Sequence, residues 1–378
     1  MLFQRILQQT IESALFKGKV IILYGARRTG KTMLVKQILN KQQKNAVYIN
    51  CELQEYQEVL STTNSVLLKD FIGKKQLIIL DEAQHIENIG LTLKVLVDTF
   101  PRVQFIATGS SSFDLSAKIS EPLTGRLRQY LLFPLSMEEL RQQFSLIDLQ
   151  AMLPNILRFG LYPQVFTATG DERLEELRDI SNNYLYKDIL QFENLKKPEL
   201  VSRLLKAIAL QTGSEVSYNE LAQLTGTNVH TVKRYLELLE KNFIIFRLGS
   251  FSRNLRKEIN KSQKFFFYDV GIRNTIIRNF NEPELRTDTG SIWENFCIGE
   301  RIKYNENHRN FVNNYFWRTY NQKEIDYLEE GAGELKCFEF KYNPKTKSKI
   351  PAEFLTTYPG SSFSVITPSN FYELIGIS

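Results

Sequence analysis

Three short apolar runs in the first third of the chain predict buried strands. Residues 19–24 read KVIILY, residues 77–80 read LIIL, and residues 103–110 read VQFIATGS. Runs of apolar and β-branched residues of this length suit parallel strands that are covered on both faces. The segment TMLVKQILN follows the first run closely and has apolar residues near helical spacing. A strand followed by a helix indicates an α/β domain with a parallel sheet.

The pattern becomes helical in the middle of the chain. From about Ser136 to Leu210 the sequence contains MEELRQQF, DERLEELRDISNNYLYKDIL and PELVSRLLKAIALQTG. These segments predict helices. We therefore expect a helical lid or linker over residues 136–200, packed on the domain that precedes it.

The next segment, SYNELAQLTGTNVHTVKRYLELLEKNFIIFRLG, predicts a helix-turn-helix followed by a strand. A short helix over Tyr218–Leu224 leads to a turn in which Gly226 is free to adopt a positive φ. A second helix is expected over Asn228–Lys241, and Phe243–Leu248 is expected to form the strand of a wing. The buried face of the second helix would carry Val232, Tyr235, Leu236 and Leu239.

The last third of the chain predicts a second α/β region. The segment DTGSIWENFCIGERIKYN predicts a helix from about Ser291. NYFWRT and EIDYLEE are expected to form a strand pair joined by the polar turn TYNQK, and LKCFEFKYN, residues 335–343, predicts a further strand.

Composition and charge restrict the class of protein. Hydrophobic residues make up 43% of the 378 residues and charged residues 24%, as in globular proteins of two or three domains. The net charge of +6 permits an anionic partner without requiring one. Cys51, Cys297 and Cys337 are far apart in the sequence and predict a reducing compartment. Since no apolar run reaches membrane-spanning length and no secretory signal is found, we expect a cytoplasmic protein without a membrane partner.

The first apolar run leads into a glycine-rich loop with the spacing of a phosphate-binding loop. The residues Gly25-Ala26-Arg27-Arg28-Thr29-Gly30-Lys31-Thr32 match the pattern G-x-x-x-x-G-K-[ST] in full. Glycines allow backbone N–H groups to turn towards phosphates, and the N-terminus of the following helix adds a positive dipole. Lys31 is expected to reach the β and γ phosphates, and Thr32 to contribute its hydroxyl to Mg²⁺. The loop therefore predicts ATP and Mg²⁺ as ligands.

The second apolar run supplies the acids that such a site needs. In QLIILDEAQ, Asp81 follows the strand at its carboxyl end, where open parallel sheets bind their ligands. We expect Asp81 to hold Mg²⁺ through water and Glu82 to polarise the attacking water as a general base.

Two more positions are candidates for catalysis. The third apolar run ends near Thr108 and Ser110, and one of these hydroxyls, with Ser110 favoured, is expected to bind the γ-phosphate or the water. Both residues also suit the capping of a turn. In GRLRQYLLFPLS, either Arg126 or Arg128 is expected to serve as an arginine finger, in its own chain or in a neighbouring one, unless both are surface arginines.

Taken together, these motifs resemble the prokaryotic AAA+ P-loop ATPases with a C-terminal domain of unknown function of the DUF4143 type, which are related to the archaeal ATPase group. The resemblance covers most of the chain. It is carried in order by GARRTGKT, LDEAQ, TGSSS, GRLRQYLLFPLS, RFGLYPQV at 158–165, YLYKDIL at 184–190, KFFFYDVGIRN and EIDYL.

The helix-turn-helix raises the question of DNA binding. The first residues of its second helix are polar or basic, as in helices that read a DNA groove, namely Asn228, His230, Thr231, Lys233 and Arg234. A nearby stretch, SRNLRKEINKSQK, adds cations that would neutralise phosphates, namely Arg253, Arg256, Lys257, Lys261 and Lys264. Winged helices also serve as spacers or protein contacts, so duplex DNA and a protein partner both remain open.

The C-terminal carboxylates predict a second metal site. Alternation along the strand LKCFEFKYN places Glu339 and Lys341 on one face, and Asp326 is expected on the adjacent strand. With Glu294 from the preceding helix, this order resembles the PD-(D/E)xK nuclease fold, although Ile325 stands where that motif has proline. The resemblance implies a metal bound by Glu294, Asp326 and Glu339. Glu–Lys pairs on a sheet face are also common as solvated partners.

The sequence thus predicts four regions in an α/β chain. These are an AAA+ P-loop domain with a parallel sheet at 1–135, a helical lid at 136–200, a winged helix at 201–264 and an α/β restriction-endonuclease-like domain at 265–378. The expected function is Mg²⁺-dependent ATP hydrolysis coupled to a DNA-binding or partner-binding C-terminal region. A nucleotide-gated DNA nuclease and a slow protein-binding switch are the alternatives. The sequence leaves the oligomeric state open.

Overall fold

A computed structural model describes residues 2–42, 45–109, 123–181, 198–252, 263–319, 323–346 and 348–377. The chain divides into two compact units. The first contains Met1–Leu135 together with Lys241–Phe243, and the second contains Ser136–Glu240 together with Ile244–Ser378. We refer to them as the N-terminal unit and the C-terminal unit.

The N-terminal unit is built on a five-stranded sheet with the order β2-β3-β4-β1-β5. All neighbouring strands in it are parallel. Its strands are β1 (Val20–Tyr24), β2 (Ala46–Asn50), β3 (Leu77–Asp81), β4 (Gln104–Gly109) and β5 (Leu127–Leu131). The three predicted strands and the parallel sheet are confirmed. Because β4 lies between β1 and β3, the carboxyl ends of three strands meet at one edge.

Helices cover both faces of this sheet. They are α1 (Ile6–Ala14), α2 (Lys31–Lys41), α3 (Gln54–Leu60), α4 (Ser65–Ile72) and α5 (Ile89–Thr99). Alternate residues of β1 enter two separate apolar clusters: Ile21 and Leu23 pack with residues of α1 and α2, and Val20 and Ile22 pack with residues of α3 to α5. Burial on both faces explains why β1 and β3 are apolar without a break.

The C-terminal unit begins with helices. These are α6 (Met137–Leu140), α7 (Leu146–Phe159), α8 (Pro163–Thr167), α9 (Glu172–Ile180) and α10 (Pro198–Leu210). Ser136 and Ser145 each form a capping box with an acid three residues later, which fixes where α6 and α7 begin. The helical pattern predicted here is confirmed for the described residues. The YLYKDIL motif lies outside them.

The predicted helix-turn-helix is present, and all of it except its last residue, Lys241, belongs to the C-terminal unit. It consists of α11 (Tyr218–Thr225) and α12 (Val229–Lys241). Gly226 ends α11 with a φ of +68°, which confirms the predicted positive φ. The four residues predicted to face the core, Val232, Tyr235, Leu236 and Leu239, are all buried.

A seven-stranded sheet joins the helix-turn-helix segment to the rest of the C-terminal unit. Its order is β12-β11-β10-β9-β7-β8-β6. Its strands are β6 (Glu215–Val216), β7 (Ile245–Ser250), β8 (Gln263–Phe267), β9 (Asn313–Arg318), β10 (Glu324–Gly331), β11 (Glu334–Phe340) and β12 (Ser362–Ile366). The expected antiparallel pair, β9 with β10, is confirmed. Strand β7 pairs in parallel with β9, so one sheet contains strands from both the predicted winged helix and the predicted endonuclease-like region.

Further helices complete this unit: α13 (Val270–Ile277), α14 (Thr289–Asn307), α15 (Ala352–Thr357) and α16 (Phe371–Leu374). Helix α14 packs on the sheet through buried polar contacts. Asn295 bonds the backbone N–H and C=O of Phe267, at 2.9 and 2.7 Å, and Trp293 donates to the carbonyl of Ile366 at 3.3 Å. The amide of Asn295 therefore continues the hydrogen bonding of β8 into the helix.

Two further features of the described residues concern the cysteines and the helices. Cys51, Cys297 and Cys337 are free and buried. Among the described helices, none combines the length and the apolar character needed to cross a membrane.

An ion pair between Arg301 of α14 and Glu329 of β10 anchors the helix, and its loss should destabilise the C-terminal unit. Glu329 is buried and accepts two bonds from Arg301, at 2.8 and 2.7 Å, and one from Asn305 at 2.6 Å. Glu329→Ala leaves the guanidinium without its carboxylate, so we expect a loss of about 3–5 kcal/mol in the free energy of unfolding.

Urea unfolding followed by tryptophan fluorescence measures this loss, since both tryptophans, Trp293 and Trp317, belong to the C-terminal unit. Glu334→Ala is the matched control, because the Glu334 side chain is 69% exposed and should change stability little. Equal unfolding midpoints for the two variants would contradict an anchoring role for the Arg301–Glu329 pair.

Candidate phosphate and metal site

The glycine-rich loop connects β1 to α2 at the carboxyl edge of the parallel sheet. Gly25 has a φ of +153°, and a side chain there would overlap the carbonyl oxygen of Leu132. Gly30 has a φ of +99° and forms the N-cap of α2, which starts at Lys31. Both glycines are thus required by backbone geometry, and the loop leaves the strand and enters the helix as the sequence motif predicts.

The loop is held in place from inside and from α1. The Thr29 hydroxyl donates to the carbonyl of Ala26 at 2.8 Å. Arg5, which precedes α1, is buried and donates to the carbonyls of Thr29 and Phe133 at 2.6 and 2.7 Å. Arg5 belongs to no sequence motif, and nothing in the local sequence distinguishes it from a surface arginine.

Lys31 is buried at the start of α2, and its ammonium group lies across the loop. It donates to the carbonyls of Gly25 and Ala26 at 2.9 and 3.0 Å. A cation held over the turned backbone is suited to an anion that binds the loop, as the sequence predicts for Lys31.

Asp81 lies beside this loop, and its carboxylate accepts hydrogen bonds from three hydroxyl groups. Thr32 and Tyr48 donate to Oδ2 at 2.7 and 2.6 Å, and Thr108 donates to Oδ1. Asp81 is only 3% exposed. The expected proximity of Asp81 to the loop is therefore present, and the three donors come from α2, β2 and β4.

Hydrogen bonds from Tyr48 on β2 and Thr108 on β4 connect these two strands to Asp81. Burial and the neighbouring Asp81 carboxylate raise the pKa of the Tyr48 hydroxyl, so this phenol stays protonated and donates. Tyr48 belongs to no motif that the sequence contains. From the sequence, Thr108 and Ser110 are alternatives for contact with the γ-phosphate or the water, and Ser110 is favoured. In the structure Thr108 bonds Asp81 and accepts from the backbone N–H of Glu82 at 3.1 Å. Ser110 lies outside the described residues.

Glu82 adopts a left-handed backbone conformation directly after β3. Its φ is +55° and its ψ is +46°, values that a residue with a side chain adopts only at some cost. The Glu82 carboxylate accepts a hydrogen bond from Gln84. Strained backbone is common at functional sites, and Glu82 directly follows the buried Asp81, which is the position expected for a general base.

The donor set beside the loop suits Mg²⁺. Carboxylate and hydroxyl oxygens are the ligands that Mg²⁺ takes from proteins, and Asp81 and Thr32 present both within one hydrogen bond. The loop with Lys31 offers N–H and ammonium groups for the phosphates. The residues present therefore fit a Mg²⁺–nucleotide, as the sequence predicts.

Arg126 has a surface partner in the same unit. Its guanidinium pairs with Asp98 of α5 at 2.6 Å, and the Arg126 side chain is 42% exposed. Arg128 lies on β5 and is half-buried. The role of either residue as an arginine finger stays a prediction.

The C-terminal unit contains a second group of acids, and one lysine in it corrects the sequence interpretation. Lys264 was expected to neutralise phosphates at the surface. The structure instead buries it to 1% exposure on β8, where its ammonium pairs with Glu294 at 3.3 Å and with Glu324. The expectation was wrong because Lys264 points into the sheet–helix core beneath α14. The other cations of that stretch lie outside the described residues.

Asp326, Glu339 and Lys341 lie together beside this lysine. Asp326 accepts from the backbone N–H of Phe340 at 2.8 Å, and Lys341 pairs with Glu339 at 2.7 Å. Burial, and then the neighbouring Glu339, raise the pKa of Asp326, and burial also raises the pKa of Glu294. Within the described residues, no group of three or more Asp, Glu, His or Cys side chains is arranged to hold a metal ion. The metal role of Glu294, Asp326 and Glu339 stays a prediction.

The helix-turn-helix exposes the residues that the sequence named. Asn228, His230, Lys233 and Arg234 are exposed, and Thr231 is half-buried. Asn228 caps α12 by accepting from the backbone N–H of Thr231 at 2.8 Å. Lys233 lies over the ring of Tyr218, with its Nζ 5.2 Å from the ring centroid. The N-terminal end of α12 thus carries cations at the surface of the C-terminal unit.

Comparison with known families divides the chain into three segments. Residues 17–141 match an AAA domain. Residues 150–283 match a domain of unknown function, DUF8612, and residues 289–374 match another, DUF4143.

Similar proteins occur in archaea and bacteria. An uncharacterized protein of Methanocaldococcus jannaschii is 26% identical over 369 residues, which cover 91% of this chain and 80% of the relative. An uncharacterized protein of Mycobacterium tuberculosis is 28% identical over 338 residues, covering 88% and 72%. One of Haemophilus influenzae is 26% identical over 291 residues, covering 71% of each.

Two solved structures show a weak likeness. The Drosophila ORC structure bound to AT-rich DNA and Cdc6 gives a TM-score of 0.27 at 8% identity, covering 72% of this chain and 89% of that one. The Pif1 helicase of Candida albicans gives a TM-score of 0.28 at 12% identity, covering 71% of this chain and 64% of that one.

The family matches and the site geometry support one identification. The chain combines an AAA domain, which contains the glycine-rich loop, with a C-terminal DUF4143 domain.

Proposed function

We propose that this protein is a Mg²⁺-dependent ATPase whose nucleotide cycle acts on a DNA-binding or partner-binding C-terminal unit. The observation that carries the proposal is the hydrogen bond of 2.7 Å between the Thr32 hydroxyl and the Asp81 carboxylate, beside the glycine-rich loop. A phosphate-binding loop without a nearby acid would bind anions but would lack a place for the metal.

Each residue of the site has a distinct task in this proposal. Main-chain N–H groups from Gly25 to Thr32 bind the phosphates, and Lys31 balances the charge of the β and γ phosphates. Thr32 and Asp81 would hold Mg²⁺, and a bound ion would neutralise charge that develops on the phosphates. Glu82 orients and polarises the attacking water as a general base.

Loss of Lys31 should weaken nucleotide binding. Loss of the Glu82 carboxylate should slow ATP hydrolysis and leave nucleotide binding unchanged. We expect Lys31→Ala to reduce binding of a fluorescent ATP analogue at least tenfold, because the ammonium charge facing the phosphates is removed. We expect Glu82→Gln to bind the analogue normally and to lower the rate of ATP hydrolysis at least a hundredfold, since the general base is lost.

The control for Lys31→Ala is Lys69→Ala, which removes an exposed lysine on α4. It should leave binding and turnover at the wild-type level. Wild-type turnover in Lys31→Ala would rule out the loop as the phosphate site. A Glu82→Gln variant with full turnover would rule out Glu82 as the base and leave the loop assignment intact.

The exposed cations of α12 support duplex DNA as the first partner to test. If DNA contacts Lys233 and Arg234, we expect duplex DNA to raise ATP turnover several-fold and the Lys233→Glu/Arg234→Glu variant to lose that increase. ATP hydrolysis measured with and without duplex DNA, at two salt concentrations, tests this, and a sizing column run in parallel reports assembly.

Lys69→Glu/Lys74→Glu reverses two exposed charges of the N-terminal unit and is the matched control. An increase that persists in the α12 variant would place DNA binding elsewhere. A rate of ATP hydrolysis that DNA does not change would favour a protein partner and the alternative of a slow protein-binding switch.

A nucleotide-gated DNA nuclease is the second candidate, and the grouping of Asp326, Glu339 and Lys341 favours it. The ammonium group of Lys341 lies 2.7 Å from Glu339 and would supply a cation that steadies an attacking water next to two acids. The pairing of Glu294 with Lys264 argues against a three-carboxylate metal site, because that acid already has a buried cation.

If the nuclease is active, we expect plasmid cleavage in Mg²⁺ or Mn²⁺ that falls at least a hundredfold in Lys341→Ala, since the lysine next to the acids is lost. Lys336→Ala is the control, because Lys336 lies on the same strand with its side chain 49% exposed. Absence of cleavage by the wild type with either metal, with and without ATP, would exclude this candidate.

A further inference from the structure

Tyr48 stands out because no motif includes it and yet it contacts the acid on which the metal site depends. It lies on β2, beside β3 in the sheet, and its hydroxyl reaches the Oδ2 atom of Asp81 at 2.6 Å. Its ring also contacts α2, since the Nζ atom of Lys36 lies 4.6 Å from the ring centroid.

Oδ2 is the oxygen of Asp81 that faces Thr32. Two hydroxyl groups, those of Thr32 and Tyr48, donate to this atom, while Thr108 donates to Oδ1. A carboxylate oxygen offers about two lone pairs to donors. The acceptor capacity of Oδ2 is therefore filled by the two hydroxyls.

Magnesium keeps several of its waters when it binds proteins, and those waters must find acceptors. The Thr32 hydroxyl, which would contact such an ion, donates to Oδ2 of Asp81 at 2.7 Å. The Thr32 hydroxyl can contribute its oxygen to the ion and still donate its proton to Oδ2. The phenol of Tyr48 has no such second role and competes with water for the same oxygen.

We propose that Tyr48 raises the Mg²⁺ concentration that nucleotide binding requires. Its hydroxyl occupies Oδ2 of Asp81, the oxygen that would otherwise accept from water on a hydrated magnesium ion. The Tyr48 phenol would leave Oδ2 when a Mg²⁺–nucleotide binds and would return to it when the ion leaves. This inference rests on the proposed ATP site and deepens it. Tyr48 is a positioning residue, because it acts through Asp81 and not on the nucleotide.

Tyr48→Phe removes the competing hydroxyl and keeps the ring and its packing. We expect this variant to need about three- to tenfold less Mg²⁺ than the wild type for half-maximal binding of a fluorescent ATP analogue, because the displacement step is lost. With Mg²⁺ chelated by EDTA, the two proteins should bind the analogue alike. The readout is nucleotide binding, so it does not depend on turnover.

Tyr56→Phe is the matched control, since Tyr56 lies on α3 and its ring packs against that of Phe71, with 6.5 Å between the ring centroids. It should keep the wild-type Mg²⁺ midpoint. A midpoint that is unchanged or higher in Tyr48→Phe would overturn the inference and leave the ATP site intact. A wild type that binds no nucleotide in saturating Mg²⁺ would overturn the proposed function, and the inference with it.

Discussion

The N-terminal unit depends on the burial of one carboxylate. Asp81 is 3% exposed, and a buried acid must be satisfied by hydrogen bonds or by cations. Here three hydroxyls satisfy it, from α2, β2 and β4. Each bond also fixes one element around the phosphate loop, so the carboxylate organises the site before any ligand binds. Strand order makes this possible, because β3 lies between β2 and β4 at the sheet edge where Asp81 emerges.

The parts of this site that the sequence predicts are those coded locally. Gly25, Gly30, Lys31 and Thr32 lie in one turn between a strand and a helix, and their spacing alone specifies the loop. Asp81 is recognisable because it ends an apolar strand. Tyr48, Thr108 and Arg5 were not assigned their roles, because contacts with Asp81 or the loop follow from the order of strands and the packing of α1. Those arrangements join residues far apart in the chain, and no short pattern reports them.

The same distinction explains the C-terminal unit. The helix-turn-helix was predicted closely, since its turn glycine and its apolar face have a short period. The charge of Lys264 suggested surface exposure, and only strand pairing shows that it lies beneath α14. The sheet itself crosses the predicted boundary between the winged helix and the endonuclease-like region, because β7 pairs with β9 across more than sixty residues of sequence. Pairings of this kind leave no trace in local composition.

The two acidic groups of the molecule differ in how their charge is balanced. Described partners of the Asp81 carboxylate are neutral hydroxyls, which satisfy its lone pairs and leave its negative charge for a cation from solution. Glu294 and Glu324 share the ammonium group of Lys264, which already supplies the compensating charge within the core. A divalent ion gains more at a carboxylate without a resident cation. For the proposed function, the charge balance therefore favours Asp81 over Glu294 and Glu324 as the carboxylate for a divalent cation.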